Sequence, residues 1–495
     1  MQYILAIDQG TSSTKALIFD EKGQVMARAS EPLQTQYLAD GFVEQDPEGI
    51  FDNAMIAVKN CLADFQGKGF EITAIKTCGI SNQRETFILW DENGNPLHNA
   101  VVWQCKRSVQ VCERLSQEGL AENIKEKTGL IIDPYFSGTK LIWLYENKPT
   151  IKQAINEGKA FFGTVDTWLL YKLTGGKIFA TDYTNASRTL FFNLHSLEWD
   201  KDLLSTFNLS TLNLPEVKAS SANFGTSTFG GTFTEAISIS GMIGDSHAAA
   251  FGEGCFEAGT AKATLGTGCS ILMNIGNKPQ KSQNGMITTI CWSTEGRIDY
   301  ALEGAIVSCG ASVEWVKNEL GLFTESKQTE SMATSVPDNG GVYLIPAFSG
   351  LGAPYWDMKR RASIHGLTFG TNKNHIVRAT LESIPFQIKD VVLAMEEDSE
   401  IHLQELMVNG GMTSNGFVLS TLSDLLNIPV VNKGMPDVSA LGAALMAGLG
   451  VQIFESVDSL KALFGQAQAV LPQENNQEKI NTAFKAWKNI IQENS

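Results

Sequence analysis

The feature that most constrains the fold of this chain is a strand–turn–strand pattern that occurs twice. Residues 3–7 are apolar and lead through Asp8 into a cluster of hydroxyl residues, and a second apolar run follows at residues 16–19. Residues 261–276, AKATLGTGCSILMNIG, repeat this arrangement around Gly266-Thr267-Gly268, some 255 residues further along the chain. Each pattern predicts a β-hairpin whose turn offers N–H and O–H groups to an anion, although an ordinary polar hairpin turn is the simpler interpretation. Two copies at this separation predict a duplicated domain.

The rest of the chain favours an α/β protein of two large lobes. Its 495 residues suffice for two large or three smaller domains. Apolar strand-like runs alternate with helical segments throughout, which predicts mixed sheets covered by helices. We expect one lobe over residues 1–250 and a second over residues 251–495, with a cleft between them.

Charge and composition exclude several classes of function. The net charge of −16 makes nucleic acid and anionic membranes poor partners. The longest nearly apolar run, residues 440–451, has 12 residues, well short of the ~20 that cross a bilayer. The eight cysteines are scattered without a CxxC pair, which predicts reduced thiols in a cytosolic protein.

Residues 237–250, ISISGMIGDSHAAA, predict a strand, a glycine turn and a helix of small residues that begins near Asp245. A carboxylate at the end of a buried strand can accept a proton from a hydroxyl group as a general base. An aspartate in front of an alanine run is also a good helix N-cap, and from this stretch alone the cap is the favoured interpretation.

Other candidate residues follow predicted strands. A buried strand over residues 72–80 delivers Arg84 and Glu85 to a polar loop, and Trp103 and Tyr135 lie in later loops. Taken singly, the Arg84-Glu85 pair is a surface ion pair, Trp103 is core, and Tyr135 is a loop anchor. Residues 182–188 are predicted to form a polar loop, and residues 477–492 a surface helix.

Together these stretches resemble one family, the FGGY carbohydrate kinases, over nearly the whole chain, and are most similar to its glycerol-phosphorylating members. The resemblance rests on segments in the right order, among them AIDQGTSSTKALIFD, GISNQRET, VVWQCKR, TGLIIDPYFSGTK, GTGCSILMNIG, YALEGAIVSCGAS, PAFSGLGAPYWD and ALGAALMAG. It implies an actin-like, ribonuclease H-like ATPase fold of two duplicated lobes, with ATP, Mg²⁺ and a small polyol meeting in the cleft. It also implies a homodimer or homotetramer.

The resemblance assigns the predicted nucleotide and metal residues. Asp8 would hold Mg²⁺ through water, and Asp245 would serve as catalytic base and lie beside the metal. The family's usual Asp-Gly-Gly is Asn409-Gly410-Gly411 here. The residues predicted to contact ATP are Thr11, Ser12, Ser13, Lys15, Gly266, Thr267, Gly310, Gly411 and Asn415.

The predicted polyol site departs from the family at two positions. The resemblance assigns substrate contacts to Arg84, Glu85, Trp103, Tyr135, Asp245 and Ser246. Glycerol-phosphorylating members usually have glutamine at the position of Ser246 and phenylalanine at that of Ser270. Both changes predict a roomier, wetter pocket, in which an extra carbon could fit. Glycerol is therefore the leading substrate, a four- or five-carbon polyol or ketose is the alternative, and a nucleotide-binding protein without turnover is a third hypothesis.

Overall fold

The computed structural model describes residues 1–435, 437–464 and 469–493. In the first half of the chain the strands are Tyr3–Gln9 (β1), Ser13–Asp20 (β2), Val25–Pro32 (β3), Gln36–Tyr37 (β4), Val43–Gln45 (β5), Ile75–Asn82 (β6), Phe87–Trp90 (β7), Ala100–Val101 (β8), Phe161–Thr164 (β9), Ala180–Asp182 (β10), Phe192–Asn193 (β11), Glu198–Trp199 (β12), Glu216–Lys218 (β13), Thr226–Ser227 (β14) and Ile237–Gly244 (β15). The helices are Pro47–Gly67 (α1), Val109–Gln117 (α2), Ala121–Thr128 (α3), Ser137–Asn147 (α4), Pro149–Asn156 (α5), Val165–Leu173 (α6), Tyr183–Ala186 (α7), Lys201–Thr206 (α8) and Asp245–Gly252 (α9).

In the second half the strands are Thr260–Leu265 (β16), Cys269–Gly276 (β17), Ile287–Thr294 (β18), Arg297–Ile306 (β19), Tyr343–Ile345 (β20), Ser363–His365 (β21), Glu405–Asn409 (β22), Val430–Val431 (β23) and Ala469–Val470 (β24). The helices are Gly310–Asn318 (α10), Gln328–Thr334 (α11), Lys373–Ser399 (α12), Gly416–Leu426 (α13), Val438–Gly450 (α14), Val457–Leu460 (α15) and Glu474–Glu493 (α16). Short 3₁₀ turns occur at Ala39–Gly41, Ile72–Ala74, Gly411–Ser414 and Lys461–Leu463.

The two main sheets share one topology. In the first, strand order is β14-β15-β6-β1-β2-β3: β3, β2 and β1 are antiparallel to their neighbours, and β6 and β15 continue in parallel. In the second, β19, β17 and β16 repeat the antiparallel part, and β22 and β23 repeat the parallel part. The predicted mixed α/β class and duplication are confirmed, and the two polar turns are the β1–β2 and β16–β17 connections.

Helices α9 and α14 pack together between the sheets so closely that their backbones are in contact. A Cβ on Gly442 would lie 1.9 Å from the carbonyl oxygen of Ala248, and one on Gly252 would lie 2.2 Å from that of Val438. Only glycine permits this approach at these positions. The close contact places the first residues of both helices side by side, where Ser439 Oγ donates a hydrogen bond to the Asp245 carbonyl at 3.1 Å.

A third sheet, β4-β5-β8-β7-β9, extends the first half and carries the polar loops. Its core includes Phe87, Val101, Phe136 and Phe162, which are fully buried. This layer supplies Trp103 and Tyr135 to the interior of the molecule.

One secondary-structure prediction was wrong. Residues 182–188 form not a loop but a nearly fully buried segment containing α7, because the Asp182 carboxylate accepts the backbone N–H groups of Thr184 and Asn185. Helix α16 lies at the surface as expected, with most of its residues exposed or half-buried. One face carries a buried stripe of Ile480, Phe484, Trp487 and Ile491, which belongs to a hydrophobic cluster of the second half.

All eight cysteines are buried and unpaired. Among the helices that the structure describes, none combines the length and the apolar character of a membrane span.

Candidate active site

A cavity of about 330 Å³ lies between the two halves of the chain. Seven predicted site residues line it: Thr11, Arg84, Glu85, Trp103, Tyr135, Asp245 and Ser246. The remaining wall is formed by Ala249, Lys262, Thr264, Ser270, Asn409, Val438 and Ser439. The structure therefore brings together residues that are up to 428 positions apart, from Thr11 to Ser439, around one space.

Asp245 is the first residue of α9, and its N-cap is Gly244 rather than Asp245 itself. The cap interpretation was therefore wrong in detail. The Asp245 carboxylate accepts the backbone N–H of Ser246 at 2.6 Å and lies 3.2 Å from Arg84 Nε. The carboxylate thus lies at the N-terminal end of a helix, beside a guanidinium group. With 39% of its side chain exposed, Asp245 can reach a ligand in the cavity.

A buried network of four charged groups lies behind Asp245. Arg84 binds Glu303 through two N–H groups, at 2.9 and 3.1 Å, and Arg188 Nε binds Glu85 at 2.6 Å. Arg188 also lies 2.6 Å from Glu303. Arg84 and Glu85 thus do not form a surface ion pair, because each has its own partner deep in the protein.

The two carboxyl groups of the network have pKa values shifted in opposite directions. Burial works against ionisation of Glu303, but the guanidinium groups of Arg188 and Arg84 outweigh it and hold the pKa of Glu303 well below its usual value. Burial dominates at Glu85 and raises the pKa of this carboxyl group despite the nearby Arg188 and Arg84. Glu85 also has a left-handed backbone, φ 59°, which is uncommon outside glycine and marks a constrained site residue.

Two aromatic side chains form one wall of the cavity. The rings of Trp103 and Tyr135 meet edge to face, with centroids 5.7 Å apart. Trp103 Nε1 donates to the Thr11 hydroxyl at 2.9 Å. Arg188 lies over the Tyr135 ring at 5.8 Å. This wall combines an apolar face for a carbon chain with polar edges for hydroxyl groups.

The first polar turn delivers Asp8 from β1 toward the cavity. Ser81 Oγ donates to Asp8 Oδ1 at 3.0 Å. Burial, together with the negative charge of Asp245, raises the pKa of Asp8 to about 6. The charge of Asp245 therefore reaches the buried Asp8 carboxyl group.

The other predicted residues of this turn differ in their surroundings. Ser12 is exposed, and Ser13 is half-buried at the start of β2. Lys15 Nζ lies 2.6 Å from Asp437 Oδ1, so the lysine predicted to face phosphates is paired with a carboxylate of the second half.

The second polar turn contacts the start of α10. The N–H of Gly310 donates to the Gly266 carbonyl at 2.9 Å, and a Cβ on Gly310 would lie 2.7 Å from that oxygen. The Thr267 carbonyl accepts the N–H groups of Cys309 and Ala311. The structure thus joins the predicted residues Gly266, Thr267 and Gly310 in one unit.

Gly411 and Asn415 bound a short 3₁₀ turn near Gly310. The position of a Cβ on Gly411 has no heavy atom within 4 Å, so this backbone is open to a ligand. Asn415 instead caps α13, accepting the Val418 N–H at 3.2 Å, and donates to Thr329 Oγ1 at 3.0 Å.

The wall formed by β16 and β17 is polar. Thr264 and Ser270 are opposite each other in the strand pair, and Ser270 Oγ lies 3.4 Å from Ser246 Oγ. Lys262, which is 2% exposed, donates to Thr264 Oγ1 at 3.0 Å. Ser246 and Ser270, the two predicted departures from the family pattern, therefore face each other.

Asn409 also lines this end of the cavity. Its side-chain amide donates to Oε1 of buried Glu253 at 2.8 Å. An aspartate at position 409 would place two carboxylates in contact, and asparagine avoids this repulsion with Glu253.

Sequence reasoning did not identify Arg188, Glu253, Lys262 and Glu303 as site residues. The signal was present, because Lys262 and Glu303 are charged residues inside apolar strands. Such residues are almost never fully buried without a partner or a role.

The donor set fits a magnesium ion. Among the described residues, no group of three or more His, Cys, Asp and Glu side chains is close enough to hold a metal without other ligands. Mg²⁺ prefers one or two carboxylates together with water and phosphate oxygens. Asp245 lines the cavity, and its negative charge acts on the buried carboxyl group of Asp8, so two carboxyl groups are available near this end of the cavity.

Comparison with known proteins gives a consistent result. The family model "FGGY family of carbohydrate kinases, N-terminal domain" matches residues 3–252, and the model of the C-terminal domain matches residues 261–451. Glycerol kinase 2 from Thermotoga maritima is 44% identical over 492 residues, covering 99% of this chain and 98% of that protein. A glycerol kinase from Fusobacterium nucleatum is 48% identical over 463 residues, covering 93% of each. The crystal structure of Plasmodium falciparum glycerol kinase with ADP has a TM-score of 0.94 and 37% identity, covering 100% of this chain and 98% of that one.

Proposed function

Because this chain belongs to the FGGY family of carbohydrate kinases, we propose that it transfers the terminal phosphoryl group of ATP to a terminal hydroxyl of glycerol, giving sn-glycerol 3-phosphate. The predicted family and the predicted actin-like fold of two duplicated lobes are confirmed. Relatives named glycerol kinase, at 44% and 48% identity, support glycerol as the acceptor.

The placement of Asp245 carries the proposal. Its carboxylate faces a cavity that also contains hydrogen-bonding and aromatic groups suited to a small polyol. In the reaction, the substrate oxygen bonds to the terminal phosphorus and the bond from this phosphorus to the ADP oxygen breaks. The hydroxyl proton passes to Asp245, whose 3.2 Å contact with Arg84 orients it toward the substrate.

The polyol site in this proposal consists of Arg84, Glu85, Trp103, Tyr135, Asp245 and Ser246. Arg84 donates to a substrate hydroxyl and Glu85 accepts from one. Their buried partners hold both groups in fixed positions, so little reorganisation accompanies substrate binding. The face of Trp103 covers the carbon chain.

ATP binds in the proposal between the two polar turns. Asp8 and Asp245 would hold Mg²⁺, which neutralises phosphate charge when bound. The turn backbone and hydroxyl groups bind phosphate oxygens, and the open backbone at Gly411 contacts adenine. The proposed ATP contacts are Thr11, Ser12, Ser13, Lys15, Gly266, Thr267, Gly310, Gly411 and Asn415.

A second candidate substrate is a polyol or ketose of four or five carbons. The observation that favours it is the facing pair of short hydroxyl side chains, Ser246 and Ser270, 3.4 Å apart on the cavity wall. They can bind an additional hydroxyl group that a bulkier pair would exclude.

One assay distinguishes these candidates. The protein is given ATP, Mg²⁺ and a panel of glycerol, tetritols, pentitols and ketopentoses, and ADP release is measured. We expect glycerol to give the highest kcat/KM. A tenfold preference for a longer substrate would favour the second candidate, and ADP binding without turnover on any substrate would leave only a nucleotide-binding function.

The lobe boundaries, assembly and location are proposed as well. We assign residues 1–250 to a polyol-binding lobe and residues 251–495 to a nucleotide-binding lobe. We also propose that the protein is a homodimer or homotetramer. We further propose that it acts in the cytoplasm, and the eight unpaired cysteines support this location.

A further inference from the structure

Lys262 is a buried cation on the cavity wall whose charge has no close partner in the described part of the chain. It is 2% exposed, and no carboxylate oxygen of a described residue lies within 4 Å of its Nζ. Its one hydrogen bond there goes to the neutral hydroxyl of Thr264. Burying a charge without a close counter-ion costs several kcal/mol, so an anion that visits the cavity would be bound well at this point.

A second buried lysine shows what a purely structural role looks like in this fold. Lys140 is also fully buried, and its Nζ donates to three backbone carbonyls, of Pro134, Tyr135 and Phe136, at 2.6–3.1 Å. All three of its N–H donors are thereby used. Lys262 uses one donor in the described structure and has two left for a ligand.

The other cations near the cavity are already matched with carboxylates. Arg84 contacts Glu303 and Asp245, and Lys15 contacts Asp437. Glu253, Glu303 and Asp245 attract Lys262 from beyond 4 Å, but burial outweighs them and lowers its pKa. Lys262 is thus the cation of this wall best placed to meet a new negative charge.

The location of Lys262 selects the kind of anion. Lys262 and Thr264 project from the same face of β16, two residues apart, and the strand leads directly into the turn at Gly266 and Thr267. A neutral polyol hydroxyl does not compensate a buried positive charge. A phosphoryl group in transfer carries negative charge on three oxygens and does compensate it.

We propose that Lys262 is a catalytic residue that binds the transferring phosphoryl group between the turn at Gly266 and the carboxylate of Asp245. This inference rests on the proposed phosphoryl transfer from ATP. The ammonium group donates hydrogen bonds to the phosphoryl oxygens as the bond to ADP breaks and the bond to the substrate oxygen forms. Thr264 holds the ammonium in position.

The test replaces Lys262 by methionine, which keeps the volume and removes the charge. In the full-length protein, Lys262→Met should lower kcat for glycerol by about 100- to 1,000-fold, the usual effect of removing one charge-stabilising group. The KM for glycerol should change by less than about threefold. Lys262→Gln retains a hydrogen-bond donor without the charge, so its kcat should lie between those of the wild type and Lys262→Met. Lys201→Met, the control at an exposed residue, should have the kcat of the wild type.

A binding experiment tests whether Lys262 binds the phosphoryl group without the need for turnover. Calorimetry compares MgADP alone with MgADP plus aluminium fluoride and glycerol, the fluoride complex being a mimic of the transferring phosphoryl group. Lys262→Met should bind MgADP normally, which also shows that it is folded, and should lose at least tenfold in affinity for the mimic.

The outcomes separate this proposal from the proposed function. A wild-type protein without turnover on any polyol, whose binding of the fluoride mimic still depends on Lys262, would reject the function and retain the role of Lys262. A variant with near-normal kcat and normal mimic binding would overturn the role of Lys262. So would a variant in which only the KM for glycerol rises, because that result would assign Lys262 to the polyol.

Discussion

The carboxylate of Glu303 binds the guanidinium group of Arg84 through two hydrogen bonds, at 2.9 and 3.1 Å, although the residues are 219 positions apart. Arg84 belongs to the first half of the chain and Glu303 to the second. Glu303 also contacts Arg188, so one carboxylate from the second lobe holds two arginines of the first. The proposed polyol site is therefore complete only when the two halves of the chain are in contact.

The first prediction concerns this carboxylate. Glu303→Gln leaves two buried guanidinium groups undercompensated, and the loss of one partner from a buried ion pair costs about 3–5 kcal/mol. The free energy of unfolding, measured in urea, should fall by that amount. The KM for glycerol should rise at least tenfold, because Arg84 is no longer held toward the substrate.

A matched variant separates stability from substrate binding. Glu382 is equally buried and binds Arg378 at 2.7 Å, away from the cavity. Glu382→Gln should also destabilise the protein but leave the KM for glycerol unchanged. Equal KM values in the two variants would show that Glu303 has no positioning role.

The second prediction concerns the proposed base. Asp245→Asn keeps the shape of the side chain but cannot accept the hydroxyl proton, so kcat should fall at least ~100-fold. MgADP affinity, measured by calorimetry, should remain within a few-fold. Asp202, an exposed carboxylate in the first turn of α8, provides the control, and Asp202→Asn should have normal kcat. Normal turnover in the Asp245 variant would rule out the base assignment.

The third prediction concerns the departure from the family motif at position 409. Asn409→Asp would place a second carboxylate against Glu253, in place of the present 2.8 Å hydrogen bond. We expect a loss of about 1–3 kcal/mol in unfolding free energy at pH 8, and a smaller loss at pH 5, where one of the two groups is protonated. Adding Glu253→Gln should restore stability at pH 8, and failure of this second change to do so would contradict the explanation.

Local sequence patterns were sufficient to predict the architecture. Each polar turn lies between its own two strands, and the helix that begins at Asp245 follows its strand directly. The stripe of Ile480, Phe484, Trp487 and Ile491 also has helical spacing, which accounts for the one buried face of the predicted surface helix α16.

The charged network could not be predicted in the same way. Glu303 lies in a strand with apolar neighbours, and its two partners come from loops more than 100 residues away. A single sequence contains no local signal for such a pairing. The burial of residues 182–188 was missed for a related reason, because their polar groups bind one another and Ser220 instead of water.

The fourth prediction is a pH dependence of stability. Burial, assisted by the charge of Asp182, raises the pKa of Asp166 from 3.8 to about 7. The folded state therefore retains a proton between pH 4 and pH 7 that the unfolded chain releases, so this contribution is present at low pH and is lost as pH rises through 7. The free energy of unfolding should therefore fall by about 4 kcal/mol between pH 4 and pH 7, at 1.36 kcal/mol per pKa unit. Asp166→Asn should remove this fall when the free energy of unfolding is measured in urea at each pH.

Asp200 provides a control of opposite sign. Burial works against ionisation of its carboxyl group, but hydrogen bonds from Asn193, the Leu203 N–H and Lys127 outweigh this and lower its pKa. Its contribution is present above pH 4 and is lost as pH falls below that value. Asp200→Asn should therefore destabilise the protein at pH 7 and have less effect near pH 3. Parallel pH profiles for the two variants would contradict both assignments.

The fifth prediction tests how Ser246 and Ser270 set substrate size. Their hydroxyl groups lie 3.4 Å apart on the cavity wall, so Ser246→Gln with Ser270→Phe would fill space and cover the polar wall. We expect kcat/KM to rise for glycerol and to fall for four- and five-carbon substrates, shifting the ratio at least tenfold toward glycerol, since one extra carbon is worth about 10- to 200-fold in a closed pocket. Ser240, a buried serine whose hydroxyl donates to the Ala447 carbonyl outside the cavity, is the matched position, and Ser240→Ala should leave the ratio unchanged. An unchanged ratio in the double variant would show that these serines do not control substrate size, and that the volume at this end of the cavity is occupied by something other than the polyol.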